Sequence, residues 1–129
     1  MKRILSILSV FLLIAAMITI VSATEVSFTK RYVDSNEWTF VTTAKKQTTT
    51  TTASIYVTAI YKKDGSDSDY WRLYARASST GSSKLITSGS WCDLTIPTAY
   101  RDAGKFVPLE LMGHDPSLDC QVSGYWVVH

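Results

Sequence analysis

Near the carboxyl end, Gly113-His114-Asp115-Pro116-Ser117-Leu118-Asp119 gathers a histidine, two carboxylates and a serine, the residue types of a nucleophilic triad. Residues adjacent along a strand or turn point apart, however, and no Gly-x-Ser-x-Gly elbow is present. An envelope hydrolase built on His114, Asp115 and Asp119 is therefore the third-ranked reading. His114 and His129 lack companions at metal-ligand spacing. Asp64, Asp67 and Asp69 suggest a calcium loop, but an EF-hand begun at Asp64 needs a carboxylate twelve positions in, where Ala75 stands. A solvated turn explains the three carboxylates better. No catalytic residue, metal or cofactor is assigned, and the chain is expected not to be an enzyme.

Two further sets of residues have chemistry to offer. Cys92 and Cys120 are the two cysteines, and in an exported chain an even pair is most simply a disulfide. Closing that loop would contribute roughly 3 to 4 kcal/mol on the chain-entropy account. Tyr70, Arg72, Tyr74 and Arg76 alternate with Trp71, Leu73, Ala75 and Ala77. The apolar set faces a core, so the tyrosines and arginines form an outward stripe of flat amphipathic rings and forked cations, a composition favoured at recognition surfaces. Such a stripe could stack on sugar rings and pair with anionic groups. Its bland alternative is a solvated sheet face with cross-strand packing.

The elements that must position these residues are strands. Helical periodicity is nearly absent, whereas period-two alternation bounded by Gly, Ser, Asp and Pro recurs at short intervals. Strands are expected at Val26 to Tyr32, from Trp38 and Phe40 onward, and at Thr48 to Tyr61 as one long strand or two joined ones. Others follow at Trp71 to Ala77, Lys84 to Ser88, Trp91 to Ile96, Phe106 to Met112 and Leu118 to Val128. Threonine suits the pleat, and the single Thr48 to Thr52 run shows no repeat that would make it a ladder. The fold class is all-β: a single antiparallel β-sandwich of seven or eight short strands, with a small β-barrel as the alternative. The Asp64-Gly65 turn is expected to pair Tyr61 with Trp71 through a loop of three or five residues, or a bulge, since a two-residue turn would set Thr58 against the core.

Residues 1–23 read as a signal peptide to be cleaved after Ala23, leaving residues 24–129 as the sandwich domain. Met1-Lys2-Arg3 is a cationic head, Ile4 to Val21 an apolar run, and Val21-Ser22-Ala23 a small-residue cleavage site. An uncleaved anchor is the competing reading. Removing Lys2 and Arg3 leaves eleven basic residues against the 11 acidic ones. A nucleic-acid or anionic-membrane binder that works by bulk charge is thereby disfavoured. The membrane enters only through the signal peptide, and the product is expected to be secreted rather than anchored.

All 4 tryptophans and all 7 tyrosines lie in this secreted part. Its Val122-Ser123-Gly124-Tyr125-Trp126, preceded by Ser88-Gly89-Ser90-Trp91, resembles the small secreted proteins of Gram-positive bacteria whose chains end in a Ser-Gly-Tyr-Trp strand. Some of these are similar in plan to the lactococcin-972-type bacteriocins, exported β-sandwiches from which this chain departs by its cysteine pair and longer body. The resemblance implies a bacteriocin-like antimicrobial as the runner-up, and no functional residue is carried over from it. The leading expectation is a secreted, non-enzymatic binding protein acting at the bacterial envelope or in the medium. Its ligand would be a glycan or a protein, held by Tyr70, Arg72, Tyr74 and Arg76.

Overall fold

A computed structural model describes residues 23–115 and 118–129. The signal-peptide reading of residues 1–23 falls, but for Ala23, outside the described residues, as do Pro116 and Ser117. Among the described residues eight strands form: β1 (Thr24–Val33), β2 (Thr39–Lys45), β3 (Thr52–Lys62), β4 (Arg72–Ala77), β5 (Lys84–Thr87), β6 (Trp91–Thr95), β7 (Phe106–Gly113) and β8 (Cys120–Val128). They make two antiparallel four-stranded sheets, ordered β1-β8-β3-β6 and β2-β7-β4-β5, so the sandwich forms and the barrel does not. Only β4 and β5 are consecutive neighbours in one sheet; every other connection changes sheet.

Alternation explains what lies between the sheets. Ala53, Ile55, Val57, Leu94, Val122, Trp126 and Val128 meet Val41, Leu73, Ala75, Ala77, Ile86, Val107, Leu109 and Leu111 in one buried cluster. Trp126 is fully buried, and its indole N–H donates to the Val107 carbonyl of the other sheet at 3.0 Å. One side chain thus fills the core and ties the sheets together; a buried hydrogen bond of this kind contributes about 1 kcal/mol.

β8 shows why the Val122-Ser123-Gly124-Tyr125-Trp126 run has its composition. The strand is flanked on both sides, and its pairing with β1 shifts between Phe28 and Arg31 while its pairing with β3 shifts between Val57 and Ala59. At the first shift Lys30 takes a left-handed backbone, φ 45°, and its N–H donates to Ser123 Oγ at 2.8 Å. A Cβ on Gly124 would run into the Tyr56 carbonyl, with the Phe28 ring at 3.0 Å. Ser123 satisfies a bulge, Gly124 admits two close neighbours and Trp126 spans the core. The fold therefore uses Ser123, Gly124 and Trp126 for packing, while Tyr125 faces outward.

Three expectations need correction. The expected strand from Thr48 starts instead at Thr52. Lys46 is fully buried, and its ammonium donates to the Thr50 carbonyl and, at 3.1 Å, to Thr50 Oγ1. That capture bends the threonine run out of the ladder, and burial lowers the Lys46 pKa from the ordinary lysine value.

Tyr61 does not pair with Trp71. It bridges Asp67 across the five residues of the Asp64-Gly65 turn, with Gly65 at φ 83° and Ser66 donating to Asp64 Oδ1 through its N–H and its hydroxyl, at 2.9 and 2.6 Å. The chain then leaves the first sheet, and β4 pairs with β5 and β7 in the second.

Nor are Cys92 and Cys120 joined by a disulfide; both thiols are free. Both sit in the first sheet, but Cys92 lies opposite Ile55 and Cys120 opposite Lys62. Seven residues of strand separate these levels, roughly 20 Å at the usual rise, whereas a disulfide needs Cα atoms within about 7 Å.

Candidate functional site

From Arg72 onward β4 alternates as its sequence predicts: Leu73, Ala75 and Ala77 are buried, while Arg72, Tyr74 and Arg76 lie on the outer face of the second sheet. The two residues before the strand break the pattern. Tyr70 packs against the core instead of joining the stripe, and Trp71 is 50% exposed instead of buried. Both belong to the crossover between sheets, where no pleat yet dictates which side a residue faces.

The three remaining stripe residues have different surroundings. The Arg72 guanidinium lies 3.7 Å over the Trp71 ring, a cation–π contact that restricts where its planar set of donors can sit. Tyr74 stands between Leu85 and Met112 on the neighbouring strands, its ring centroid 5.6 Å from that of His114. Arg76 is committed to the protein itself. It meets Glu110 through Nε at 3.2 Å and through a second nitrogen at 3.4 Å, and it covers the Trp38 ring at 4.2 Å. The exposed rings and chains of Phe40 and Leu85 complete this face, placed there by pairing with Glu110 and Tyr74.

Where the stripe reaches the end of the sandwich it opens into a pocket of about 320 Å³ lined by Ile60, Tyr70, Trp71, Arg72, His114 and Cys120 among others. That volume is at the low end of the roughly 300–1,000 Å³ of small-molecule sites. Cys120 is one of these wall residues. Burial first, then the nearby Asp119 charge, pushes its thiol up to about 11, so it stays protonated at neutral pH.

Of His114, Asp115 and Asp119, the first two line this pocket, whereas the Asp119 carboxylate is engaged at the turn after β1. Asp119 Oδ1 accepts from the Ser35 N–H and from the Ser35 hydroxyl, each at 3.1 Å, and Oδ2 faces the Lys63 ammonium at 3.5 Å. The Ser35 N–H foremost, with the Tyr32 hydroxyl next, holds this carboxyl below the usual carboxylate value. Asp119 thereby fastens the turn after β1 to the start of β8, while the His114 ring packs tilted by 43° against Tyr74.

Sequence reasoning missed the outer face of the first sheet. Ser27, Tyr125, Tyr56 and Trp91 stand opposite one another across β1, β8, β3 and β6. The Tyr56 and Trp91 rings are 5.2 Å apart and tilted by 50°; Trp91 is 56% exposed and Tyr125 37%. A second row, Tyr32, Gln121 and Tyr61, crosses the same sheet nearer the pocket end, with the Lys30 ammonium 4.7 Å over the Tyr61 ring. Plain alternation puts Tyr32 in phase with Phe28 and Tyr61 in phase with Val57, on the inner face; the register shifts between Phe28 and Arg31 and between Val57 and Ala59 turn both outward, and nothing local shows that the rings are neighbours.

Comparison with protein-family models, with curated proteins and with solved structures found no match for this chain. The functional reading therefore rests on its own side chains.

Proposed function

We propose that this chain is a secreted, non-enzymatic binding protein that takes a ligand of the bacterial envelope or the surrounding medium on the outer face of its second sheet. The observation that supports it best is the Arg72 guanidinium 3.7 Å over the exposed Trp71 ring, both lining the pocket. An arginine so restricted has little freedom left to lose, so a ligand meets it at low entropic cost. Arg72 and Tyr74 are the contact residues, Trp71 the platform and Tyr70 a pocket wall. Arg76 acts at one remove, by fixing Glu110 and Trp38 beside them. The protonated Cys120 thiol offers the pocket no covalent chemistry at neutral pH.

Co-sedimentation with Gram-positive cell walls, followed by titration with the fractionated wall glycans and proteins, tests this reading. Arg72→Ala and Tyr74→Ala should each weaken binding roughly tenfold, the loss expected of a central arginine or aromatic contact, with the melting temperature nearly unchanged. Undiminished binding by both variants would overturn it, as would a loss of stability that accounts for the loss of binding.

A further inference from the structure

The ring row of the first sheet lies on the opposite side of the sandwich from Arg72 and Tyr74. Tyr125, Tyr56 and Trp91 occupy one level of three adjacent strands. Neighbouring strands are about 4.8 Å apart, so the outer two positions are separated by about 10 Å, close to two units of an extended chain of pyranose rings. Aromatic faces carry the negative lobe of the ring quadrupole, which suits the C–H bonds on the flat side of a β-linked pyranose.

Charge narrows the occupant. The next row on the same face is Glu25, Val127, Ser54 and Asp93, where the Ser54 hydroxyl donates to Asp93 Oδ1 at 2.6 Å. Neither of these two rows contains a cation; Lys84 donates to the Asp93 carbonyl from the second sheet at 3.2 Å, and Lys30, on the other side of the ring row, is engaged by the Gly65 carbonyl at 3.1 Å and the Tyr61 ring. Two carboxylates and the hydroxyls of Ser27 and Ser54 beside bare rings complement a partner that donates hydroxyl hydrogens, and they repel a polyanion. The 50° tilt between the Tyr56 and Trp91 rings adds a constraint of shape. A rigid flat crystalline surface could rest on only one ring at a time. A single chain that turns along its length can follow both.

We propose that this face is a second, independent binding surface, on which one soluble strand of a neutral β-linked hexopyranose glycan lies across β8, β3 and β6. It stands whether or not the opposite face binds anything. Isothermal titration of the protein with cellohexaose and with chitohexaose tests it, beside pull-down on microcrystalline cellulose and titration with oligolysine. At least one hexasaccharide should bind. Trp91→Ala, on an exposed edge-strand ring, should weaken it tenfold or more, as should Tyr56→Ala, with each variant's fold checked by its circular dichroism melt. Phe106→Ala, which removes an equally exposed ring from the other sheet, should change nothing. The proposal is overturned if neither hexasaccharide binds, if Trp91→Ala binds as well as the parent, if only the crystalline polysaccharide is retained, or if oligolysine binds the row in preference to sugar.

Discussion

Gly124→Ala adds one methyl group at the middle of β8, and its cost follows from what surrounds the site. Gly124 pairs with Phe28 on one side and Val57 on the other. A Cβ there would collide with the Tyr56 carbonyl oxygen and lie 3.0 Å from the Phe28 ring and 3.1 Å from Val57 Cα. The ring could tilt away, but the carbonyl belongs to the β3 backbone and yields only if β3 and β8 move apart. Overpacking costs about 1–3 kcal/mol, and an immovable first obstacle places this case near 3. Against it, alanine restricts the unfolded chain and returns roughly 0.4–1 kcal/mol. The net loss is about 2 kcal/mol, a large share of the roughly 5–15 kcal/mol that holds a domain folded. For a domain of this size the melting temperature should fall by about 8–16 °C, read by circular dichroism and confirmed by urea unfolding with an unchanged slope. Adding Phe28→Leu should recover little, since the ring is not the main obstacle. An unchanged or raised melting temperature for Gly124→Ala would refute the close approach of β8 to β3 and with it the packing account of the motif.

Other consequences are as specific. Without reductant, thiol titration in denaturant should find two free thiols; under native conditions Cys92 should react first and Cys120, 3% exposed with its thiol pushed up to about 11, only on unfolding. Because the Asp119 carboxyl is lowered in the folded state, its contribution is present above the unfolded carboxylate value of about 3.9 and is lost as pH falls through the lower folded value. Asp119→Asn should accordingly flatten the acid limb of a stability-versus-pH curve, and an acid limb like the parent's would remove Asp119 from that role. Trp126→Phe should cost about 2–3 kcal/mol, combining a smaller ring in the core with the lost bond to Val107; a loss below 1 kcal/mol would show that the cross-sheet bond contributes little.

Much of the fold was legible because alternation is local. Leu73, Ala75 and Ala77 declare their face in the sequence, and the Asp64-Gly65 turn declares itself by its residues. Tyr70 and Trp71 misled because alternation was extended backwards into a crossover, where the chain belongs to neither sheet. The expected Tyr61 to Trp71 pairing failed for a related reason: parity says which residues share a face, but not whether two successive strands share a sheet. The cysteines show the same gap. Both sit on strands of one sheet, and only the register of β3 reveals that they lie at opposite ends of it. The threonine run looked like strand because nothing nearby shows that the Lys46 ammonium, once buried, must take its hydrogen-bond partners from Thr50.

This limit biases which binding surface a sequence displays. Tyr74 and its neighbours lie on one strand, so their spacing by two is visible at once. The row of Tyr125, Tyr56 and Trp91 takes one ring from each of β8, β3 and β6, which are scattered along the chain, and it becomes a surface only through the order β8-β3-β6. Pairing order also decides how much each surface has left to offer a ligand. On the second sheet, Glu110 of β7 falls opposite Arg76 and consumes it. On the first, Tyr56 falls between Tyr125 and Trp91, and Trp91 stays more than half exposed. The stripe that was easiest to read has thus lost one of its two cations to internal pairing, while the row that could not be read keeps its rings accessible.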